Sequence, residues 1–301
     1  MDRIHQRHSN RGQIASVAFV LLTSFIFSTA FVSCHDKRAQ QTSNDVRNDS
    51  NLVEMEEPED TLITKLYTRE QKDSTGDYSI TVEWPEADDD DMQPAASIRE
   101  WANEILGGTY YDDMEKPQLM VNHYLTEILN EYHSTYKEGE VFLRQNDIKL
   151  LNTCRIIKDF EAEKFVTFIY HAESYLGGAH GGVSNFGQTF RKDDGRRIGW
   201  EIFKTGTSED MQETIRQGLY DYFSSDGEKI KTPQQLSEML LIDNAEYFIP
   251  LPQCQPLFLK DGILFIYNQY EIAPYAAGMP QFIVSYKQAK KLMNVTGQRL
   301  L

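Results

Sequence analysis

Apolar residues recur along the chain at two spacings, every second position and every third or fourth, and the alternation between the two marks out the elements. Leu62 to Tyr67 and Tyr78 to Trp84 alternate with the period of half-buried strands. Pro94 opens a helical stretch through Ile98, Trp101 and Ile105 that Gly107 and Gly108 stop. A second helix fits Leu119 to Tyr136, with Val121, Leu125, Ile128, Leu129 and Tyr132 on one stripe. Strand patterns return at Asp147 to Lys158 and Lys164 to Tyr175, and Asp159 to Glu163 reads as the hairpin connection between them.

Beyond a glycine cluster at 177 to 187, Gln188 to Arg191 and Arg196 to Trp200 flank Asp193, Asp194 and Gly195, a turn that needs positive φ. Thr207, Ser208, Glu209 and Asp210 can cap a helix whose apolar face is Met211, Ile215, Leu219 and Tyr222. Thr232, Pro233, Gln234 and Gln235 start a shorter one. Leu257 to Leu259, Ile263 to Tyr267 and Gln281 to Tyr286 supply the last strands, before a helix near Lys287 to Met293. Strands and helices segregated in this way predict an α+β fold with mainly antiparallel sheets covered by helices.

The front of the chain carries a different pattern. Arg3, Arg7 and Arg11 precede an apolar run from Ile14 to Val32 that ends at Ser33 and Cys34, the layout of an export signal. The cysteine after a small residue is similar to the lipobox of bacterial lipoproteins, with Phe31 where leucine is usual. The expectation is therefore a signal peptide over 1–33 and lipid on Cys34, which places the remainder in the cell envelope, periplasmic or facing the outer membrane. An uncleaved anchor is the alternative, since the run is just long enough to span a bilayer. The polar stretch from His35 to Asp60 lacks the apolar surface to offset its ordering entropy, so 34–60 reads as a tether.

Charge narrows the partners. The whole chain carries 30 basic and 46 acidic residues; without the first 33 it retains 27 and 45, a net of −18. Such a field repels nucleic acid and draws basic proteins. The four aspartates from Asp88 to Asp91 invite a calcium site, but no D-x-D-x-D-G spacing follows and Arg99 stands at the twelfth position, so a solvated loop is expected. Cys154 and Cys254 are a candidate disulfide; it would close a loop of about 100 residues, contributing on the order of 4 to 5 kcal/mol. Two buried thiols are the other reading.

Two motifs carry a resemblance. Tyr175, Leu176, Gly177, Gly178, Ala179, His180 and Gly181, followed by Tyr270, Glu271, Ile272, Ala273, Pro274, Tyr275, Ala276, Ala277 and Gly278, resemble the RsiV-like C-terminal domain family. That family is a domain of unknown function shared by lysozyme-sensing anti-sigma factors, some peptidoglycan deacetylases and envelope lipoproteins. The resemblance covers roughly residues 164–293, and 61–160 is similar in layout to the companion domain that often precedes it. It implies an N-terminal α+β domain over 61–160 and an RsiV-like α+β domain over 161–301, with a cell-wall-active protein such as a basic muramidase, or a glycan of the peptidoglycan, as ligand.

Candidate chemistry is sparse. The glycines from 177 to 182 suit a sharp turn, with Gly178 expected to resist a side chain, and His180 is read as locking that turn through backbone hydrogen bonds rather than as a catalyst. His171 and Glu173 share a strand face by the two-residue period. Together with His180 they are the residues a hydrolase here would use, yet they are too few for a metal site. Tyr267, Tyr270 and Tyr275 are either an aromatic ligand surface or core. No G-x-S-x-G, H-E-x-x-H, C-x-x-C or P-loop pattern occurs, so the expectation is a binding or sensing protein with no cofactor; a structural spacer is a third reading.

Overall fold

The computed structural model describes residues 58, 61–86, 93–206, 208–224 and 229–301. The signal segment, Cys34, nearly all of the tether and Asp88 to Asp91 lie outside them. Residues Asn51–Leu301 form one compact unit, and its cores are built from Leu62 onward.

Six strands make the main sheet: β1 (Thr64–Lys72), β2 (Gly76–Pro85), β3 (Leu150–Glu161), β4 (Phe165–Tyr175), β5 (Gly182–Arg191) and β6 (Arg197–Ile198), hydrogen-bonded in chain order. All neighbours are antiparallel except β2 and β3. A parallel pair needs a long crossover, supplied here by α1 (Gln93–Leu106), α2 (Pro117–Tyr136) and α3 (Glu140–Gln145). The alternation in β2 puts Tyr78, Ile80, Val82 and Trp84 on one buried face, where they meet Ile98, Trp101, Met120, Val121 and Leu125 of α1 and α2. This is the first core.

The opposite face of the sheet carries the rest of the chain. A three-stranded antiparallel sheet of β7 (Leu257–Leu259), β8 (Gly262–Ile266) and β9 (Gln281–Val284) follows α4 (Glu209–Phe223) and α5 (Pro233–Met239) and precedes α6 (Tyr286–Leu292) and α7 (Val295–Gln298). Ser208 caps α4, and Thr232 with Gln235 forms the expected capping box on α5. Met211, Ile215, Leu219, Phe258, Phe265 and Tyr286 build the second core, which also takes Phe165 from β4. Where β7 crosses the main sheet, two buried threonines satisfy its backbone. Thr167 Oγ1 donates to Phe258 O at 2.7 Å, Phe258 N donates to Thr189 Oγ1 at 3.1 Å, and the two hydroxyls lie 2.9 Å apart.

Two expectations need correction. The boundary drawn between 160 and 161 falls within the final pair of residues of β3, whose partner β4 continues the same sheet, so the two halves share a sheet. Cys154 and Cys254 are both free and buried: Cys154 lies on β3 in the first core, while Cys254 packs with Leu257 and Ile266 under the second sheet. The short helix α3 lay outside the periodicity argument because six residues are too few to show a stripe.

Candidate functional site

The tip of the β4–β5 hairpin, residues 176–181, meets the long loop 267–280 between β8 and β9. This loop is closed at its base by a hydrogen bond from Tyr267 N to Pro280 O at 2.8 Å. Tyr267 itself turns inward, fully buried, and donates to Pro250 O at 2.8 Å. Above it, the Glu271 carboxylate accepts from Gln253 N at 2.7 Å and from Asn268 N at 2.8 Å. Burial pushes this carboxyl above its ordinary value and the two N–H groups pull it back.

Side chains dock the loop onto a strand edge. Below the short β6, the outer edge of β5 has no neighbouring strand, and backbone groups there need partners. Asn268 supplies both at Asn185: its Oδ1 accepts from Asn185 N at 2.8 Å and its Nδ2 donates to Asn185 O at 2.9 Å. Gln269 Oε1 accepts from Val183 N at 2.9 Å. Two amide side chains thus stand in for a strand. From the other side, Tyr222 of α4 donates to Ala277 O at 2.6 Å.

So held, the loop presents its rings to the hairpin tip. His180 stacks on Tyr275 with ring centroids 3.9 Å apart and planes inclined by 22°. Tyr270 lies tilted beside both, 6.5 Å from His180 and 5.9 Å from Tyr275. The imidazole Nδ1 donates to Gly181 O at 2.9 Å, which leaves Nε2 to accept from the Tyr270 hydroxyl at 3.4 Å. Tyr270 has φ +64 without being glycine, a left-handed backbone that the turn from Asn268 to Glu271 imposes. The outcome is an exposed aromatic group: Tyr270 is 56% accessible, and Leu176 at the hairpin tip is 50% accessible. Tyr175 is drawn in by its hydroxyl, which donates to Gly178 O at 3.1 Å.

The glycines divide the work differently from expectation. Gly177 holds φ +78 and packs on Ile148 and Leu143, so the tight turn is there. Gly178 meets nothing within 4 Å and its φ is ordinary, which corrects the view that it must be glycine. Pro274 opens the 3-10 turn Tyr275–Ala277, and Gly278 with φ +74 ends it. Gly181 is constrained by close approach, since a Cβ would sit 2.9 Å from Ser174 O.

His171 and Glu173 form a separate group lower on β4. His171 Nδ1 reaches Asn185 Oδ1 at 2.6 Å and its Nε2 meets Glu173 Oε1 at 3.0 Å. No hydrogen bond or ion pair joins them to His180, and among the described residues no three His, Cys, Asp or Glu side chains gather as metal ligands. Among the described residues, no helix is long and apolar enough to cross a membrane. The two motifs separated by ninety residues therefore meet, while the three residues proposed for hydrolysis do not.

Comparison with known proteins fits this architecture. Residues 201–287 match the family described as "Protein of unknown function (DUF3298)". This segment is similar to DUF3298 domains. It spans α4, the small sheet and the loop with Tyr270 and Tyr275, whereas the hairpin with His180 precedes it. The fold is shared with a DUF3298 family member from Bacteroides fragilis, at 16% identity and TM-score 0.59, covering 78% of this chain and 95% of that one. A DUF3298 family protein from Pseudomonas aeruginosa matches at 11% identity and TM-score 0.52, covering 78% and 96%. No curated protein matches. The matched DUF3298 structures thus share the α+β fold over a stretch of chain longer than the segment of sequence similarity.

Proposed function

We propose that the protein is a lipid-anchored envelope binding protein, attached through Cys34, whose ligand contact is the ring group of His180, Tyr270 and Tyr275. The carrying observation is that three rings from two distant segments gather at the surface, His180 stacked on Tyr275 and Tyr270 tilted beside them, with the histidine nitrogens already engaged by Gly181 and Tyr270. Rigid aromatic rings supply contact area at low entropic cost and dominate many binding surfaces. Asn185, His171 and Glu173, a separate polar group lower on the same hairpin, suit hydroxyl groups, so a peptidoglycan-type glycan is the ligand this reading favours. A second reading, a basic muramidase, draws on the mature charge of −18 and on the resemblance to the RsiV-like family. Engagement of both His180 nitrogens argues against the hydrolase reading, and the surface rings argue against a mere spacer.

Titration calorimetry of residues 51–301 with soluble muropeptides, and with a basic muramidase at low and physiological salt, tests the proposal. Tyr270→Ala and Tyr275→Ala should each weaken binding at least tenfold, the mark of about 1.4 kcal/mol, without loss of fold. Binding unchanged in both variants, or no heat with either ligand, would refute it. Cys34→Ala should release the full-length protein from membranes or leave an uncleaved precursor.

A further inference from the structure

Against the acidic background, one end of the molecule is basic. Residues 285–301 contain Lys287, Lys290, Lys291 and Arg299 and no Asp or Glu, in a chain of net charge −16. The three lysines fall at i, i+3 and i+4 of α6, on one helix face. All three are exposed, and none makes an ion pair with a described residue. Lys204 joins them, its Nζ donating to Lys291 O at 2.7 Å where α6 ends.

Between α6 and the last residues lies an open depression of about 420 Å³ lined by Tyr286, Lys287, Lys290, Lys291, Gln298 and Leu301. No Asp or Glu side chain lines it. Tyr286 and Leu301 are the apolar residues of its lining, beside the three lysines and Gln298, and Val295 on the adjoining α7 is 67% exposed. Apolar stems and side chains beneath a rim of ammonium groups match a bilayer surface, where lysine stems lie along acyl chains and their charges meet phosphate. A depression this shallow and apolar offers little to a soluble phosphate, which wants convergent N–H donors.

We propose that this end, centred on α6, docks on the anionic phospholipid headgroups of a membrane. The net negative charge does not prevent it, because at physiological salt charges farther than about 8 Å from the bilayer are screened and the local patch decides. The reading is independent of the lipid on Cys34 and of the aromatic site, and it gives the molecule a direction. Lys164 Nζ donates to Arg299 O at 3.0 Å, so the Phe165 end of β4 lies at the basic patch and the Tyr175 end carries the rings. Eleven residues of strand separate them by roughly 35 Å. A molecule docked through α6 holds His180, Tyr270 and Tyr275 away from the bilayer, toward the wall.

The test is vesicle sedimentation of residues 51–301, which lack Cys34 and keep the whole compact unit. Phosphatidylcholine vesicles should leave the protein in solution, and vesicles containing phosphatidylglycerol should carry it down, less so as salt rises. Each lysine near such a surface is worth about a factor of five, so Lys287→Gln/Lys290→Gln/Lys291→Gln should lower the partition coefficient about a hundredfold. Lys65→Gln/Lys137→Gln/Lys149→Gln, equal in charge and elsewhere on the surface, should leave it unchanged. The substituted residues are exposed, and circular dichroism confirms that both triples fold. Failure to sediment with phosphatidylglycerol at low salt, equal loss in the two triples, or binding of inorganic polyphosphate without vesicle binding would each overturn the proposal.

Discussion

Gly218, in the middle of α4, offers a clean contest between two opposed effects. Replacing an interior helical glycine by alanine ordinarily gains about 1 kcal/mol, because alanine restricts the unfolded chain and favours helix. At this position a Cβ would lie 2.2 Å from Cδ2 and Cγ of Phe282 and 2.6 Å from Cδ1. Carbon atoms pack comfortably at about 3.5–4.0 Å, so the ring or the helix must move by more than 1 Å. Phe282 stands on β9, which α4 crosses, and packs against the second core. Overpacking of this kind costs about 1–3 kcal/mol, and a rigid ring sits at the upper end. The clash outweighs the propensity gain, and Gly218→Ala should lose about 1–2 kcal/mol. In a Phe282→Ala background the obstacle is gone, and the same substitution should gain about 1 kcal/mol, a sign reversal that a double-mutant cycle reads directly. Urea denaturation of residues 51–301 followed by circular dichroism measures all four proteins. Gly218→Ala as stable as the parent, or an equal effect in both backgrounds, would refute the reasoning. The consequence reaches the aromatic site, because the same helix holds Ala277 through Tyr222.

Other outcomes follow from single contacts. Thr167→Val removes the donor to Phe258 O in a buried setting, so it should cost about 1–3 kcal/mol, against little for an exposed threonine; denaturant midpoints decide. Burial opposes ionisation of Asp73, but hydrogen bonds from the Thr75 hydroxyl, Thr75 N and Gly76 N outweigh it and hold its carboxyl below the ordinary 3.8. A depressed folded value means stability present above the ordinary value and lost as pH falls through the folded one, so the loss should begin near about pH 4 and be smaller in Asp73→Asn. Thermal scans across that range check it. Burial raises the thiol of Cys254 to about 12; burial also raises that of Cys154, and a Tyr170 hydrogen bond pulls it back. Residues 51–301 should therefore show two thiols to an alkylating reagent when unfolded and almost none when native. A single shifted species under non-reducing conditions would instead reveal a bridge.

Local pattern decided most of the elements by itself. The period-two runs in β1 and β2, the stripes of α1, α2 and α4, the Thr232 and Gln235 box and the glycines after α1 each follow from chemistry within a few residues, which is why they can be read along the chain. The aromatic motifs were visible as composition, but their meaning was not: of three tyrosines alike in sequence, Tyr267 is core, while Tyr270 and Tyr275 join His180 at the surface. That division depends on which way a fourteen-residue loop folds back between Tyr267 and Pro280, and the Asn268 and Gln269 contacts with β5 that set it span more than eighty residues. The parallel pairing of β2 and β3 is equally hidden, since strand direction depends on the crossover and not on the strand's own pattern. Gly177 and Gly178 are adjacent and identical, yet only the first sits at positive φ, packed on Ile148 and Leu143. Sequence specifies a residue's chemistry and its local period; what that chemistry meets across the molecule is set by packing between segments far apart in the chain, and only the tertiary structure decided it.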